Sequence, residues 1–261
     1  KNVFCDDTSM KIDRGNEEWR LYGGHRLWHS PEAFPRTYEI DNYPVEWKQT
    51  ACGIHVKQPL DEWVQIEKEL IITLASEEKK VTVEHILTNR NAWPVELAAW
   101  GLSVMAAGGK EIIPLPQHQT HFSDGNKGSR IIALWSYTKM NDPRVYWGDK
   151  YITLQQDPLI DSTIKFGLSN EDGWAAYFND GNVFIKRYDH LPGVKYPDHG
   201  VSLETFAIDF MLEIESLSPL VLLQPNDEVQ HTEEWELIEG VANPPDKEDE
   251  LDDWVQKYIM S

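Results

Sequence analysis

The chain is patterned mainly with a period of two. In Trp63–Leu74 (WVQIEKELIITL), Val64 and Ile66 fall on one face while Gln65 and Glu67 fall on the other, the alternation of a half-buried strand. Lys80–Asn89 (KVTVEHILTN) repeats it, with Val81, Val83, His85 and Leu87 on one side. The charged stretch Ser76–Lys79 between them reads as a turn, so the two segments predict a long antiparallel hairpin. Val95–Ala106, Arg130–Tyr137, Tyr146–Gln155 and Thr163–Leu168 are further predicted strands, each bounded by Gly, Pro, Asn or Asp. Within Gly173–Tyr188, WAAYF and VFIKRY flank Asn179-Asp180-Gly181-Asn182. The Asp-Gly pair suits a two-residue turn whose central residues need positive φ. Val201–Phe206, Phe210–Leu217, Leu220–Leu223 and Glu228–Leu237 complete the strand set.

Helical periodicity is scarce. Lys247–Ile259 (KEDELDDWVQKYI) carries it, with Leu251, Trp254 and Tyr258 recurring at helical spacing and an acidic first turn that complements the positive helix start. Asn243-Pro244-Pro245 before it reads as a short linker. Many strands joined by turns, with almost no helix between them, predict an all-β protein: a large twisted antiparallel β-sandwich, residues 1–261 as one domain, with a short C-terminal helix docked on it.

Composition narrows the function classes. Apolar residues make up 41% of the 261 residues, enough for a sizeable core, and the eleven tryptophans supply anchors for a core or a cleft. The net charge of −20, from 44 acidic and 24 basic residues, repels phosphate backbones and anionic lipid, so neither nucleic acid nor a membrane surface is an expected partner. No apolar run reaches a membrane span. No charged-then-apolar leader opens the chain, and both a cytoplasmic site and export after loss of a leader stay open. Cys5 and Cys52 fit no metal spacing; a single bridge between them is possible.

No Gly-rich phosphate loop, HExxH, CxxC or GxSxG occurs, and no cofactor is expected. His118, His121 and Asp124 (HQTHFSD) have a spacing that could hold a metal, but a loop does not fix both imidazoles on one side, and no metal is expected. Three other segments concentrate useful chemistry. Tyr22–Glu32 (YGGHRLWHSPE), read as a loop, crowds His25, Arg26, Trp28 and His29 behind two glycines; imidazole, guanidinium and indole suit a sugar or carboxylate site. Leu212-Glu213-Ile214-Glu215 places two carboxylates on one strand face, where repulsion raises one pKa, and Glu204 (GVSLET) is a further carboxylate among apolar neighbours. Trp135–Gly148 combines Lys139 and Arg144 with Trp135, Tyr137, Tyr146 and Trp147, lining either a polyol site or an ordered covering loop.

In this order, GGHRLWHSPE, VTVEHILTNRNAWPVELAAWGLSVMAAGG and LETFAIDFMLEIESLSPLVLLQPNDEVQHTEEWEL resemble the galactose mutarotase-like (aldose 1-epimerase-related) superfamily over roughly residues 22–238. The resemblance implies a supersandwich with a sugar-binding groove across one sheet. It also implies a cofactor-free reaction in which a Glu takes the anomeric proton and a His protonates the ring oxygen. The strand that matches the one bearing the family's Glu carries Glu213 and Glu215, and Glu204 in GVSLET imitates the family's LET wording; of the three, Glu213 is preferred as the base. Trp100 stands in the place of the family's acid His, which leaves His25 or Arg26 as proton donor and makes Trp100 a candidate stacking platform. Pro225-Asn226-Asp227 replaces the usual PGE turn. The expectation is a carbohydrate-binding protein whose ligand contacts come from Arg26, Trp28, Trp100, Glu204, Glu215, Lys139 and Arg144. The alternatives are an epimerase on an unusual or acidic sugar, using Glu213 as base and His25 as acid, and a non-catalytic structural domain.

Overall fold

The structure is a computed structural model that describes residues 2–7, 9–15, 17–75, 79–117 and 130–261. Its strands, in chain order, are β1 (Lys11–Asp13), β2 (Glu18–Arg20), β3 (Gly24–Ser30), β4 (Glu46–Gln49), β5 (Gly53–Lys57), β6 (Ile66–Leu74), β7 (Lys80–Asn89), β8 (Val95–Ala106), β9 (Lys110–Pro114) and β10 (Ile132–Leu134). There follow β11 (Val145–Trp147), β12 (Tyr151–Gln155), β13 (Ile164–Leu168), β14 (Trp174–Asn179), β15 (Asn182–Tyr188), β16 (Leu203–Ala207), β17 (Met211–Leu217), β18 (Val221–Leu223), β19 (Glu228–Glu239) and helix α1 (Glu248–Tyr258).

Two large antiparallel sheets dominate. The smaller, seven-stranded, runs β10-β13-β16-β17-β8-β18, with β3 also paired to β8. The larger, ten-stranded, runs β11-β12-β9-β14-β15-β19-β7-β6-β5-β4. Between their inner faces lies one apolar layer built from both, including Phe166, Leu212 and Ile214 from the smaller sheet and Ile113, Leu154 and Phe184 from the larger. A second cluster around Leu27, Leu87, Leu97 and Leu223 continues it. The outer face of the larger sheet is covered by α1, whose Leu251, Trp254 and Val255 pack on Ile112, Phe178 and Ile185. The outer face of the smaller sheet is covered by the β1–β2 hairpin and the chain that follows β3, through Trp19, Leu21, Tyr38 and Ile40.

The predicted β6–β7 pairing and β14–β15 hairpin form, the latter turning on Asp180 and Gly181, both at positive φ; residues 76–78 of the predicted Ser76–Lys79 turn lie outside the described residues. Three expectations are corrected. The segment Tyr22–Glu32 is not a loop: Gly24–Ser30 is strand β3, seven residues paired along β8. His25, Leu27 and His29 turn inward as a strand requires, but the intervening Arg26 and Trp28 do not read as a solvent face, and that hides the alternation. Tyr146–Gln155 is a tight hairpin of β11 and β12 rather than one strand. Cys5 is a buried free thiol and Cys52 an exposed one, so the possible bridge is absent. Gly23, at φ +73°, lies so close to the chain that a Cβ there would sit 2.0 Å from the Cys5 carbonyl oxygen. Among the described residues no helix is long and apolar enough to cross a membrane.

Candidate functional site in the outer face of the smaller sheet

Strand alternation decides which side chains can meet. On β17, Leu212, Ile214 and Ser216 face the interior, so Met211, Glu213 and Glu215 face outward. On β8, Trp100, Leu102 and Val104 face outward, opposite to Gly101, Ser103 and Met105. The register sets Trp28 of β3 beside Trp100, and their rings meet edge to face at 5.2 Å. Trp28, Trp100, Leu102, Met211 and Glu213 of this outward set, together with Trp19, Glu32, Tyr38, Tyr137, Lys165 and Phe206, line a cleft of about 90 Å³.

The cleft has an indole floor and a charged wall. Trp19 packs on Trp28 and Tyr38, and the Arg26 guanidinium lies 4.7 Å over the Trp19 ring. Arg26 is tied to Asp41 at 3.5 Å and to the Arg20 carbonyl at 2.7 Å. Lys165, from β13, reaches Glu204 at 2.8 Å and Glu215 at 3.0 Å, while its ammonium sits 4.7 Å over Trp100. The Trp100 indole N–H donates to Glu215 at 2.9 Å. Tyr38 donates its hydroxyl hydrogen to Glu32 at the cleft's rim.

Three carboxyls around one ammonium cannot all ionise cheaply. Burial, then repulsion from Glu215, pushes Glu213 up to about 8 against the pull of Lys165 and Arg26. Burial raises Glu204 and Glu215 as well. Burial works against the charge on Lys165, yet Glu215 and Glu204 hold it well above the ordinary lysine value. Glu213, 9% exposed, therefore borders the cleft with a proton it can give or take near neutrality.

The sequence-derived residues divide. Arg26, Trp28, Trp100, Glu204, Glu213 and Glu215 are brought together on this face. Trp100 is a floor rather than an open platform: it is 2% exposed, with Lys165 over its ring and Trp28 at its edge. Lys139 is exposed in the turn after Thr138 and lies outside the cleft lining. Arg144 spends its charge on a buried pair with Asp142, at 3.0 and 2.8 Å, and on the Ser162 carbonyl at 2.7 Å. His25 projects to the other face of the sheet, so the pairing of Glu213 with His25 across one sugar ring does not form. His118, His121 and Asp124 lie outside the described residues. Of the aromatics in Trp135–Gly148, Tyr137 lines the cleft; Lys165 and Glu32 were missed as cleft residues, and the alternation of Ile164, Lys165 and Phe166 was the available signal for the first.

Beneath the sheet, His25 enters a polar island between the two layers. Its Nε2 is 2.6 Å from Nε2 of His85 and its Nδ1 is 3.0 Å from Ser103 Oγ. His85 Nδ1 donates to the His231 carbonyl at 2.8 Å. Glu233 accepts from Lys186 at 2.9 Å, Ser216 at 2.5 Å and the Trp235 indole at 2.6 Å. Burial lowers both imidazoles, favouring their neutral forms. One ligating atom each from His25, His85 and Glu233 lies within 4.8 Å of the others.

No protein-family model matches the sequence, and no curated protein does. Solved structures do. A provisionally assigned mutarotase (YeaD) from Salmonella typhimurium is 10% identical with a TM-score of 0.56, over 91% of this chain and 80% of that one. A provisionally assigned aldose 1-epimerase from Klebsiella pneumoniae is 14% identical with a TM-score of 0.51, over 82% of this chain and 56% of that one. A TPR-domain containing protein from Parabacteroides distasonis is 10% identical with a TM-score of 0.52, over 87% of this chain but only 40% of that one. The chain thus shares the galactose mutarotase-like fold, and it spans little more than half of the Klebsiella protein.

Proposed function

We propose that the chain binds a monosaccharide in the cleft on the outer face of the smaller sheet, with Glu213 as the group that exchanges a proton with it. The observation that carries this reading is the position of Glu213: a carboxyl raised to about 8 beside an indole floor, in a fold shared with mutarotase-like proteins. Indole faces and edges match the apolar side of a sugar ring, and Lys165 and Glu32 supply a donor and an acceptor for its hydroxyls. Glu213, in the fraction of molecules where it is ionised, takes the proton of the anomeric hydroxyl. At pH 7 that fraction is about one in ten for a pKa near 8.

Charge in the cleft selects among sugars. Lys165 is already matched by Glu204 and Glu215, so the lining offers no spare cation to a sugar acid, while Glu32 and Glu213 remain. A neutral or amino sugar fits better than the acidic sugar considered from the sequence. The volume of about 90 Å³ falls below the roughly 300–1,000 Å³ of common ligand sites. Binding therefore requires the rim segment that carries Glu32 and Tyr38 to move outward. The same small volume favours the second reading, a closed, vestigial groove in a structural domain.

The experiment is a panel of galactose, glucose, glucosamine and glucuronate, read by tryptophan fluorescence and thermal shift. Saturable responses to the neutral and amino sugars, weakest for glucuronate, are expected. No response to any of them leaves the vestigial groove.

A further inference from the structure

We propose that His25, His85 and Glu233 form a binding site for a divalent transition-metal ion, zinc by its donor set, between the two sheets. The three residues come from β3, β7 and β19, so the ion would tie the smaller sheet to the larger. Two imidazole nitrogens and a carboxylate oxygen form a recurrent zinc set with one position left open.

The remaining atoms of each ligand are already held as a metal site requires. A carbonyl oxygen can only accept, so the bond from His85 Nδ1 to the His231 carbonyl puts the proton on Nδ1 and leaves a lone pair on Nε2. Ser103 Oγ, 3.0 Å from His25 Nδ1, can accept from that nitrogen and free His25 Nε2 in the same way. On Glu233, Oε1 takes both Lys186 and Ser216, whereas Oε2 takes Trp235 alone and lies 4.0 Å from His25 Nε2. One lone pair of Oε2 is unspent. Gly101 makes room: a Cβ there would sit 2.5 Å from Glu233 Oε1 and 3.2 Å from His85 Nε2.

Two features set the site's character. Two nitrogens on one tetrahedral zinc, with bonds of about 2.0–2.1 Å, stand roughly 3.3 Å apart, so the present 2.6 Å separation must open by less than an ångström. Lys186 spends its hydrogens on Glu233 and on the carbonyls of Gly101 and Ile214. Its charge competes with the ion for Glu233, which makes the site weaker than one with an unshared carboxylate. Entry is from the cavity of about 200 Å³ that His25 lines with Gln58, Lys68 and Leu70, beside β5 and β6. Spacing along the chain could not disclose these ligands, since they are separated by 60 residues and more.

The test uses the whole protein, stripped with a chelator and titrated with cobalt(II), then zinc. One equivalent of cobalt should give visible d–d bands that zinc removes, with a zinc-dependent rise in melting temperature. In ¹⁵N spectra of the histidine rings, zinc should convert Nε2 of both His25 and His85 to the metal-bound type, a readout that needs no variant. His25→Ala should lose the bands. Absence of cobalt bands and of a zinc shift overturns the proposal. So do bands that persist in His25→Ala, or ring spectra in which only other histidines respond; the latter two place the ion elsewhere. A lone His25 Nε2–H hydrogen bond to His85, unaffected by zinc, is the metal-free arrangement.

Discussion

Glu213 and His25 flank the same strand, β8, yet project to opposite faces of its sheet. Glu213 stands opposite Val104 on one side, and His25 stands opposite Ser103 on the other. An offset of one residue along a strand reverses the side-chain direction. A ligand in the outer cleft therefore meets Glu213 and never His25, and any proton chemistry there must draw on Glu213 and its outward neighbours.

If Glu213 moves the anomeric proton, exchange between sugar anomers should rise with pH and level off above about 8, where the carboxylate is fully formed. Glu213→Gln should bring exchange down to the buffer rate. Two-dimensional exchange NMR on a neutral sugar measures both. Lys139→Ala, exposed and away from the cleft, should leave sugar-dependent quenching within about twofold of the parent.

Trp100→Ala should damage the fold before it touches binding. The side chain is 2% exposed, packs on Trp28 and supports Lys165, and it donates to Glu215. A loss of about 3–5 kcal/mol is expected from an aromatic-to-alanine change in a core, read as a lower denaturant midpoint. Trp100→Phe should recover part of it.

Fold and site were legible in the sequence to different depths. Strands with one polar face, such as β7 with Val81, Val83, His85 and Leu87, declare themselves by alternation. Strand β3 does not, because Arg26 and Trp28 on its outer face are covered by the β1–β2 hairpin, leaving no solvent-facing pattern. The carboxylates of LEIE were visible as a pair, and Trp28 and Trp100 as cleft residues; Arg26 shares their sheet face, packed over Trp19. The face on which His25 lies depends on the register of β3 against β8, a long-range pairing that no local pattern contains. The polar island fails for the same reason: Lys186 and Glu233 look like ordinary charged positions until the two sheets close over them.

Stability should fall as the pH rises through neutrality. Glu213 has a folded-state pKa of about 8, above the ordinary carboxyl value, so between about 4.5 and 8 this group holds a proton in the folded protein that it has lost in the unfolded chain. Its contribution is complete below about pH 4.5 and is lost as pH climbs through 8. Glu111, likewise raised to about 8 by burial, acts in the same sense. Glu213→Gln should remove part of this slope, gaining about 1–3 kcal/mol over the parent at pH 9 and little at pH 5. Urea midpoints at the two pH values decide it.

Lys165→Met should be costly at pH 8, about 3–5 kcal/mol, because it strands Glu204 and Glu215 without their cation. At pH 5 both carboxyls can take protons in the folded state and the cost should shrink. An equal loss at both pH values would mean that packing, not charge, is what Lys165 contributes.

The cleft assignment is tested most directly by fluorine NMR of protein carrying 5-fluorotryptophan, titrated with a neutral or amino sugar. Trp19, Trp28 and Trp100 line the cleft, whereas Trp47, Trp63 and Trp93 are exposed elsewhere. The account predicts saturable shifts of the first three resonances while the other three stay fixed. Shifts confined to the exposed tryptophans, or no shift at any sugar concentration, would contradict it.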